Sequence, residues 1–197
     1  MQLEQQKDEF SAFLPQKSMI YLRGYIMLVT GSLIALGSIV SPNVSMLSIQ
    51  NAWLPVAAFV LLMTGIIEAF DTYISRQTPR FLLNLQFAIV DTVVGVVLFF
   101  SLGYSVHKLS LMIAVFLLIK GWFRLISAYA GAFANSRSTM VGGFISVVLG
   151  LFLWAQWPGG SSVAFLSFCL STEIALRGWA LTQFAKYLSG LDELLSD

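Results

Sequence analysis

The sequence predicts an all-α membrane protein with six transmembrane helices, built as three repeated helical hairpins in a pseudo-threefold arrangement. Three observations lead to this prediction. Hydrophobic residues make up 57% of the 197-residue chain and charged residues only 11%, against about 25% charged residues in soluble proteins. Apolar segments long enough to cross a membrane recur along the chain. Similar sequence recurs inside every second one of these segments.

Six segments provide the roughly 20 mostly apolar residues that a spanning helix needs. They are residues 19–40, 52–74, 81–103, 109–134, 140–157 and 163–187. The connections between them are short and rich in Pro, Gly, Ser and Asn, which favour turns. Because such connections leave no room for a soluble domain, we expect residues 19–187 to form one membrane domain.

Short polar segments flank this domain. Residues 1–18 would form a cytoplasmic tail, either partly ordered or folded as a short interfacial helix. Residues 188–197 would form an acidic tail, with Gly190 placed to end the sixth helix. Most Lys and Arg residues near the span ends fall on the side of the two termini, and Lys108 falls on the opposite side. By the positive-inside rule, both termini are expected in the cytoplasm.

Three similar stretches reveal an internal repeat. They read LLMTGIIEAFDTY at residues 61–73, LLIKGWFRLISAY at 117–129 and EIALRGWALTQFA at 173–185. Their glycines, Gly65, Gly121 and Gly178, are 56 and 57 residues apart. The expected two-helix units are therefore about 19–76, 80–135 and 138–187. Because two-span units keep the same direction, an axis along the membrane normal should relate them.

Small residues predict where helices approach closely. Gly142, Ser146 and Gly150 recur every four residues along the fifth span, a pattern that lets another backbone come near. The three odd-numbered spans can be aligned on the Pro or Gly in the outer loop that follows each span. In this alignment, the first span has Ile34 at the position where the other two have Gly95 and Gly150. The expected packing glycines are Gly65, Gly121, Gly142, Gly150 and Gly178. We expect these small residues to pack helices within one chain, and the alternative is an interface between two copies of the chain.

Ionisable side chains inside the predicted spans form the candidate site. They are Glu68, Asp91, Lys120, Arg124, Glu173 and Arg177. An isolated charge near mid-membrane costs several kcal/mol, so we expect partners or water. At about 1.5 Å per residue, Lys120 lies level with Glu173, and Asp91 lies level with Arg124 or Arg177. The near balance of signs favours a structural salt-bridge network; an ion or proton path and a site for an acidic headgroup stay open as alternatives.

The sequence lacks the usual patterns of catalysis. His107 is the one histidine and Cys169 the one cysteine, so no zinc cluster can be assembled. Nucleophile-elbow, Walker and dinucleotide patterns are missing as well. We therefore expect no enzyme, no cofactor and no metal site. The net charge of +1 gives no reason to expect a nucleic-acid partner, and the lipid bilayer, a second copy or another membrane protein are the candidate partners.

The repeat resembles the HdeD-like family of small six-span bacterial membrane proteins. The resemblance covers nearly the whole chain and is carried by glycines and loop prolines: Gly65, Gly121, Gly178, Gly95, Gly150, Pro42 and Pro158. It implies a non-catalytic protein of the bacterial inner membrane, associated with acid or other stress tolerance. Two alternatives are a small transporter or channel with a polar intramembrane path, and an accessory or assembly subunit of a larger membrane complex.

Overall fold

The fold is taken from a computed structural model that describes residues 17–42, 53–74, 81–129, 136–155 and 162–196. All the regular secondary structure in these residues is helical, which confirms the expected all-α class. The helices are α1 (Lys17–Val40), α2 (Leu54–Ile74), α3 (Phe81–Phe100), α4 (Val106–Tyr129), α5 (Ser136–Trp154) and α6 (Val163–Ser196).

The apolar character of the helices indicates a membrane-embedded protein. Four of the described helices, α1, α4, α5 and α6, are long and apolar enough to cross a membrane. The other two contain shorter apolar stretches, Leu54–Phe70 in α2 and Leu85–Phe100 in α3.

The ends of the membrane domain differ from the sequence-based expectation. Helix α1 begins at Lys17, and the expected interfacial helix in the N-terminal tail lies outside the described residues. Helix α6 continues through Gly190 to Ser196, so the expected stop at Gly190 is wrong. A glycine lowers helix propensity by about 1 kcal/mol without breaking the helix, and the Leu and Glu residues that follow are good helix formers.

Close packing occurs between the expected hairpins rather than within them. The closest pairs are α2 with α3, α4 with α5, and α6 with α1, whereas α1 touches α2 and α3 touches α4 much less. Contacts within each close pair run in opposite directions along the chain, as in Gly24 with Thr182 and Gly31 with Ala175. Each pair is therefore antiparallel. We call the two ends of the bundle the Lys17 end and the Val40 end, after the first and last residues of α1.

The same glycine contact occurs in each of the three close pairs. Each repeat glycine faces the backbone nitrogen of a residue on the neighbouring helix, which would lie under 3.0 Å from an added Cβ. The contacts are Gly65 with Thr92, Gly121 with Val147, and Gly178 with Leu28. A side chain at any of these glycines would separate two backbones that now touch.

A second glycine on the neighbouring helix makes the reciprocal contact, one turn further along. Gly95 faces the Leu62 backbone, and Gly31 faces the Ala175 backbone. Gly150 faces the Leu118 side chain and the Ala114 carbonyl oxygen.

The structural counterpart of Gly95 and Gly150 is thus Gly31, and the expectation of Ile34 is wrong. Alignment on the loop residues misplaced it because the first span runs about one turn further before Pro42 than the others run before their Pro or Gly.

Gly142 also differs from its expected role. An added Cβ there would meet only the Arg124 Nη1 atom, at an ordinary 3.6 Å. The adjacent Gly143 makes the close approach instead, since a Cβ added there would lie 3.0 Å from the Gly121 carbonyl oxygen. The space at Gly142 accommodates a guanidinium group rather than a helix backbone.

The interior of the bundle divides into an apolar half and a charged half. The apolar half lies toward the Val40 end and contains side chains with less than 2% exposure: Leu54, Leu98, Leu109, Ile113, Leu117, Leu153, Leu166 and Leu170. The buried ionisable side chains lie beyond this core, toward the Lys17 end. The candidate site therefore occupies one half of the bundle interior.

Candidate functional site

Helical spacing places the two central cations on one face of α4. Lys120 and Arg124 are four residues apart, so their side chains emerge on the same side of the helix. Both are buried, as are Ile113 and Leu117, which lie nearer the Val40 end of the same face. The face that carries these charges is therefore the interior face of α4, away from lipid.

Lys120 lies at the centre of the site. Its Nζ is 2.8 and 3.0 Å from the two carboxylate oxygens of Asp91 and 3.1 Å from Oε1 of Glu173. The three side chains are at most 2% exposed. The Phe116 ring also lies under the ammonium group, with 5.1 Å between Nζ and the ring centroid. Two carboxylates and an aromatic face thus compensate for the loss of water around one buried cation.

Glu173 of α6 is surrounded by donors from two other helices, α4 and α5. In addition to Lys120, its Oε1 contacts Arg124 Nη2 at 2.7 Å, and its Oε2 accepts a hydrogen bond from Arg124 Nη1 at 3.2 Å. This bidentate arrangement is the strong form of an arginine–carboxylate pair. The Ser146 hydroxyl of α5 lies 2.5 Å from Oε2 and can donate to it.

A second arginine links Asp91 to the edge of the site. Arg177 of α6 contacts Asp91 through Nη1 and Glu68 through Nη2. Glu68 in turn lies 3.5 Å from Arg23 Nη2, and the same nitrogen donates to the Thr64 carbonyl at 3.4 Å. Helices α1 and α2 are joined to the centre of the bundle in this way.

Together these contacts form one chain of alternating charge, which we call the ion-pair network. Its order is Arg23, Glu68, Arg177, Asp91, Lys120, Glu173 and Arg124. Through Ser146 it reaches every helix in the described part of the chain. Its four cations alternate with three carboxylates, so each carboxylate contacts two cations.

The network unites the six ionisable residues predicted from the sequence. Lys120 pairs with Glu173 as their levels suggested, and Asp91 pairs with Arg177 rather than with Arg124. The depth estimate could not separate these two arginines, which lie at about the same level on different helices. Two further pairs, Lys120 with Asp91 and Arg124 with Glu173, join residues whose expected depths differ by about 6 Å.

Sequence reasoning missed two members, Arg23 and Ser146. Arg23 lies about 9 Å from the start of α1, a depth typical of the membrane edge, but its long side chain reaches inward to Glu68. The small size of Ser146 and its four-residue spacing from two glycines indicate a packing residue, not a polar contact. The Asp71 side chain, a further acidic group of α2, lies outside the described residues.

The exposed fraction of the network side chains decreases from the Arg23 end of the network to its centre. The Arg23 and Glu68 side chains are 20% and 14% exposed, whereas Asp91 is fully buried. Beyond the centre, Leu117 and Ile113 occupy the next two turns of α4 toward the Val40 end, and both have no exposed surface. The more exposed part of the network therefore lies toward the Lys17 end, and the apolar core closes the other side.

The chemistry of this arrangement is that of paired charges rather than of a ligand cage. Within the described residues, no group of three His, Cys, Asp or Glu side chains could hold a metal ion. The carboxylates face arginine and lysine instead.

The fold and the buried network define a helical, membrane-embedded protein with a charged interior. The chain belongs to the family described as a short repeat of unknown function (DUF308), which matches residues 22–100 and 87–155. HdeD belongs to the same family, and no named relative links this chain to HdeD itself. The two matches overlap on α3 and end before α6. Neither the curated proteins nor the solved structures gave a match.

Proposed function

We propose that this chain is a non-catalytic, six-span protein of the bacterial inner membrane that supports acid or other stress tolerance. In this proposal both termini are cytoplasmic, and the ion-pair network holds the helices in register instead of moving a solute. The observation that carries it is the position of the network, which is closed by the apolar core on the side of the Val40 end.

The composition of the network favours the structural role. Each of its carboxylates contacts two cations, which leaves none of them with the single, exchangeable partner that a proton relay commonly uses. A continuous path would also need polar side chains across the whole bundle. The core residues Leu98, Leu117 and Leu170 occupy that position instead.

We also propose that the three repeat units are pseudo-equivalent around an axis along the membrane normal. The glycine contacts support this, because Gly65, Gly121 and Gly178 each meet the first helix of the next unit, and α6 returns to α1. The network itself does not follow this symmetry. Lys120 and Arg177 precede their glycines, whereas Thr64 precedes Gly65.

Flux measurements separate a structural network from a conducting one. The purified chain is placed in liposomes that contain a pH-sensitive dye, and a pH step is applied. We expect wild type, Asp91→Asn and Glu68→Gln to show the same flux as liposomes without protein.

In detergent, Asp91→Asn should lower the free energy of unfolding by about 3–5 kcal/mol, because it leaves buried cations undercompensated. Glu68→Gln, at the more exposed end, should cost less.

Flux above background in wild type that disappears in Asp91→Asn would overturn the structural role. If Asp91→Asn fails to fold, loss of a wild-type flux in Glu68→Gln gives the same answer, since both carboxylates belong to the network.

Survival measurements test the role in stress. A bacterial strain that lacks the gene is exposed to acid, to high osmolarity and to an oxidant, with and without a plasmid copy. We expect the plasmid copy to restore survival under at least one of these conditions. Equal survival of both strains under all three would contradict the proposed role.

A further inference from the structure

A groove between α3 and α4 opens on the outside of the bundle. Its volume is about 440 Å³, and it is lined by Val90, Val94, Val97, Leu111, Met112, Val115, Phe116 and Ile119. The groove exists because α3 packs closely on α2 and α4 packs closely on α5, whereas α3 and α4 touch each other little. Helices α3 and α4 therefore leave a space between them.

The groove has exposed walls and a buried floor. Val97, Val115 and Ile119 along its rim are 42%, 42% and 46% exposed, whereas Phe116 at its floor is 3% exposed. The Phe116 ring separates the groove from Lys120. Because α4 is long and apolar enough to span a membrane, this concave surface faces the hydrocarbon region of the bilayer.

The lining favours a flexible chain over another helix. Close packing of membrane helices needs small residues such as Gly, Ala or Ser, which let two backbones approach. The lining contains only Val, Leu, Met, Phe and Ile side chains. A lipid acyl chain can follow such a surface by rotation about its single bonds, whereas a rigid helix cannot.

A lysine lies next to the groove, at its end nearer the Val40 end of the bundle. Lys108 precedes Leu111, Met112 and Val115 by three, four and seven residues, so it lies on the same face of α4 as the groove. Its Nζ is 5.6 Å from the centroid of the exposed Tyr104 ring. Lys108 is the one Lys, Arg, Asp or Glu residue among the described residues at this end of the bundle. A negatively charged headgroup would find attraction here and no opposing carboxylate.

We infer that the groove between α3 and α4 binds one anionic phospholipid from the leaflet at the Val40 end. One acyl chain lies along the valine and leucine walls above Phe116, and the headgroup phosphate lies beside Lys108 and Tyr104. This site is separate from the ion-pair network, and it does not depend on the role proposed for that network.

Photo-crosslinking tests the acyl-chain part of the site. The full-length protein in nanodiscs is exposed to light with phosphatidylglycerol that carries a diazirine on one acyl chain, and the labelled peptides are identified by mass spectrometry. We expect labels on residues 90–97 and 111–119. Val115→Trp, which fills the groove, should reduce this labelling several-fold. The matched control is Val93→Trp, because Val93 is 54% exposed and does not line the groove; it should leave the labelling unchanged.

Competition with unlabelled lipids tests the headgroup part. Phosphatidylglycerol should compete better than phosphatidylcholine by about fivefold, the contribution of one lysine near an anionic headgroup. Lys108→Gln should abolish this preference, and Lys186→Gln, an exposed cation at the other end of the bundle, should not.

Three results would overturn the inference. The first is equal labelling of the groove in Val115→Trp and Val93→Trp, and the second is an anionic preference that survives in Lys108→Gln. The third is a wild-type protein that forms a dimer and a Val115→Trp variant that is monomeric, which would show that a second copy occupies the groove.

Discussion

Glu173 shows most clearly how single residues act in this protein. Its carboxylate meets two cations and the Ser146 hydroxyl, and the side chain is 1% exposed. Removing one of two buried partners leaves the other group undercompensated, so the cost exceeds the net value of the pair. We therefore expect substitutions in the ion-pair network to have effects that depend on burial rather than on the number of bonds removed.

Ser146→Ala should lower the free energy of unfolding by about 1–3 kcal/mol, because a buried carboxylate loses a hydrogen-bond donor. Ser167→Ala is the matched control. Ser167 is also buried, and each of the two hydroxyls lies within hydrogen-bond distance of the carbonyl oxygen four residues earlier in its own helix, Gly142 for Ser146 and Val163 for Ser167. Only the Ser146 hydroxyl also contacts the Glu173 carboxylate. Ser167→Ala should therefore cost less than Ser146→Ala when both are measured by denaturant titration in detergent. Equal losses would show that Ser146 does not support Glu173.

Glycine contacts are the main feature at the scale of whole helices. In each close pair, a repeat glycine and a second glycine one turn further along the facing helix let two backbones touch. Membrane helices gain little from excluding apolar surface, since lipid is equally apolar, so close van der Waals packing contributes much of their association. The three glycine pairs therefore stabilise α2 with α3, α4 with α5, and α6 with α1.

Gly178→Ala should destabilise the protein by about 1–3 kcal/mol or more, as expected for an overpacked contact. The added Cβ would lie 2.6 Å from the Gly24 carbonyl oxygen, and backbone atoms cannot move aside easily. Gly190→Ala in the same helix is the control. Nothing lies within 4 Å of its position, so the better helix propensity of alanine should raise stability by up to about 1 kcal/mol.

Thermal unfolding in detergent, followed by circular dichroism, measures both glycine variants. A Gly178→Ala variant as stable as wild type would show that α6 and α1 can separate without cost. That result would contradict the close packing of α6 on α1.

The distribution of cations matters at the scale of the whole molecule. Lys17, Arg137 and Lys186 lie toward the Lys17 end, and Lys108 lies toward the Val40 end. Positive residues are retained on the cytoplasmic side during membrane insertion. The proposed orientation therefore has the Lys17 end in the cytoplasm.

Cysteine labelling tests this orientation. In a Cys169→Ala background, Ser18→Cys and Ser105→Cys introduce exposed thiols at the two ends of the bundle. A membrane-impermeant maleimide applied to intact spheroplasts should label the thiol at position 105 at once and the thiol at position 18 only after lysis. The reverse pattern would contradict the orientation. Labelling of both thiols before lysis would place positions 18 and 105 on the same side of the membrane, which would contradict an odd number of spans between them.

The helical class, the membrane environment and the membership of the ion-pair network followed largely from the sequence. Composition and segment length indicate whether a segment lies in water or in the lipid bilayer. Charged residues within apolar segments need partners of opposite charge. Depth along a helix is also readable, because the rise per residue is constant. These properties depend on one helix at a time, so the sequence by itself determined them.

Only the tertiary structure decided which helices pack together and which charges meet. Arg124 and Arg177 share a depth, and the rotation and placement of α4 and α6 direct one to Glu173 and the other to Asp91. The same placement brings Arg23 into the network and makes Gly143, rather than Gly142, the packing residue. Lateral position and rotation arise from contacts between distant segments, and a repeat period or a depth along one helix contains no information about them.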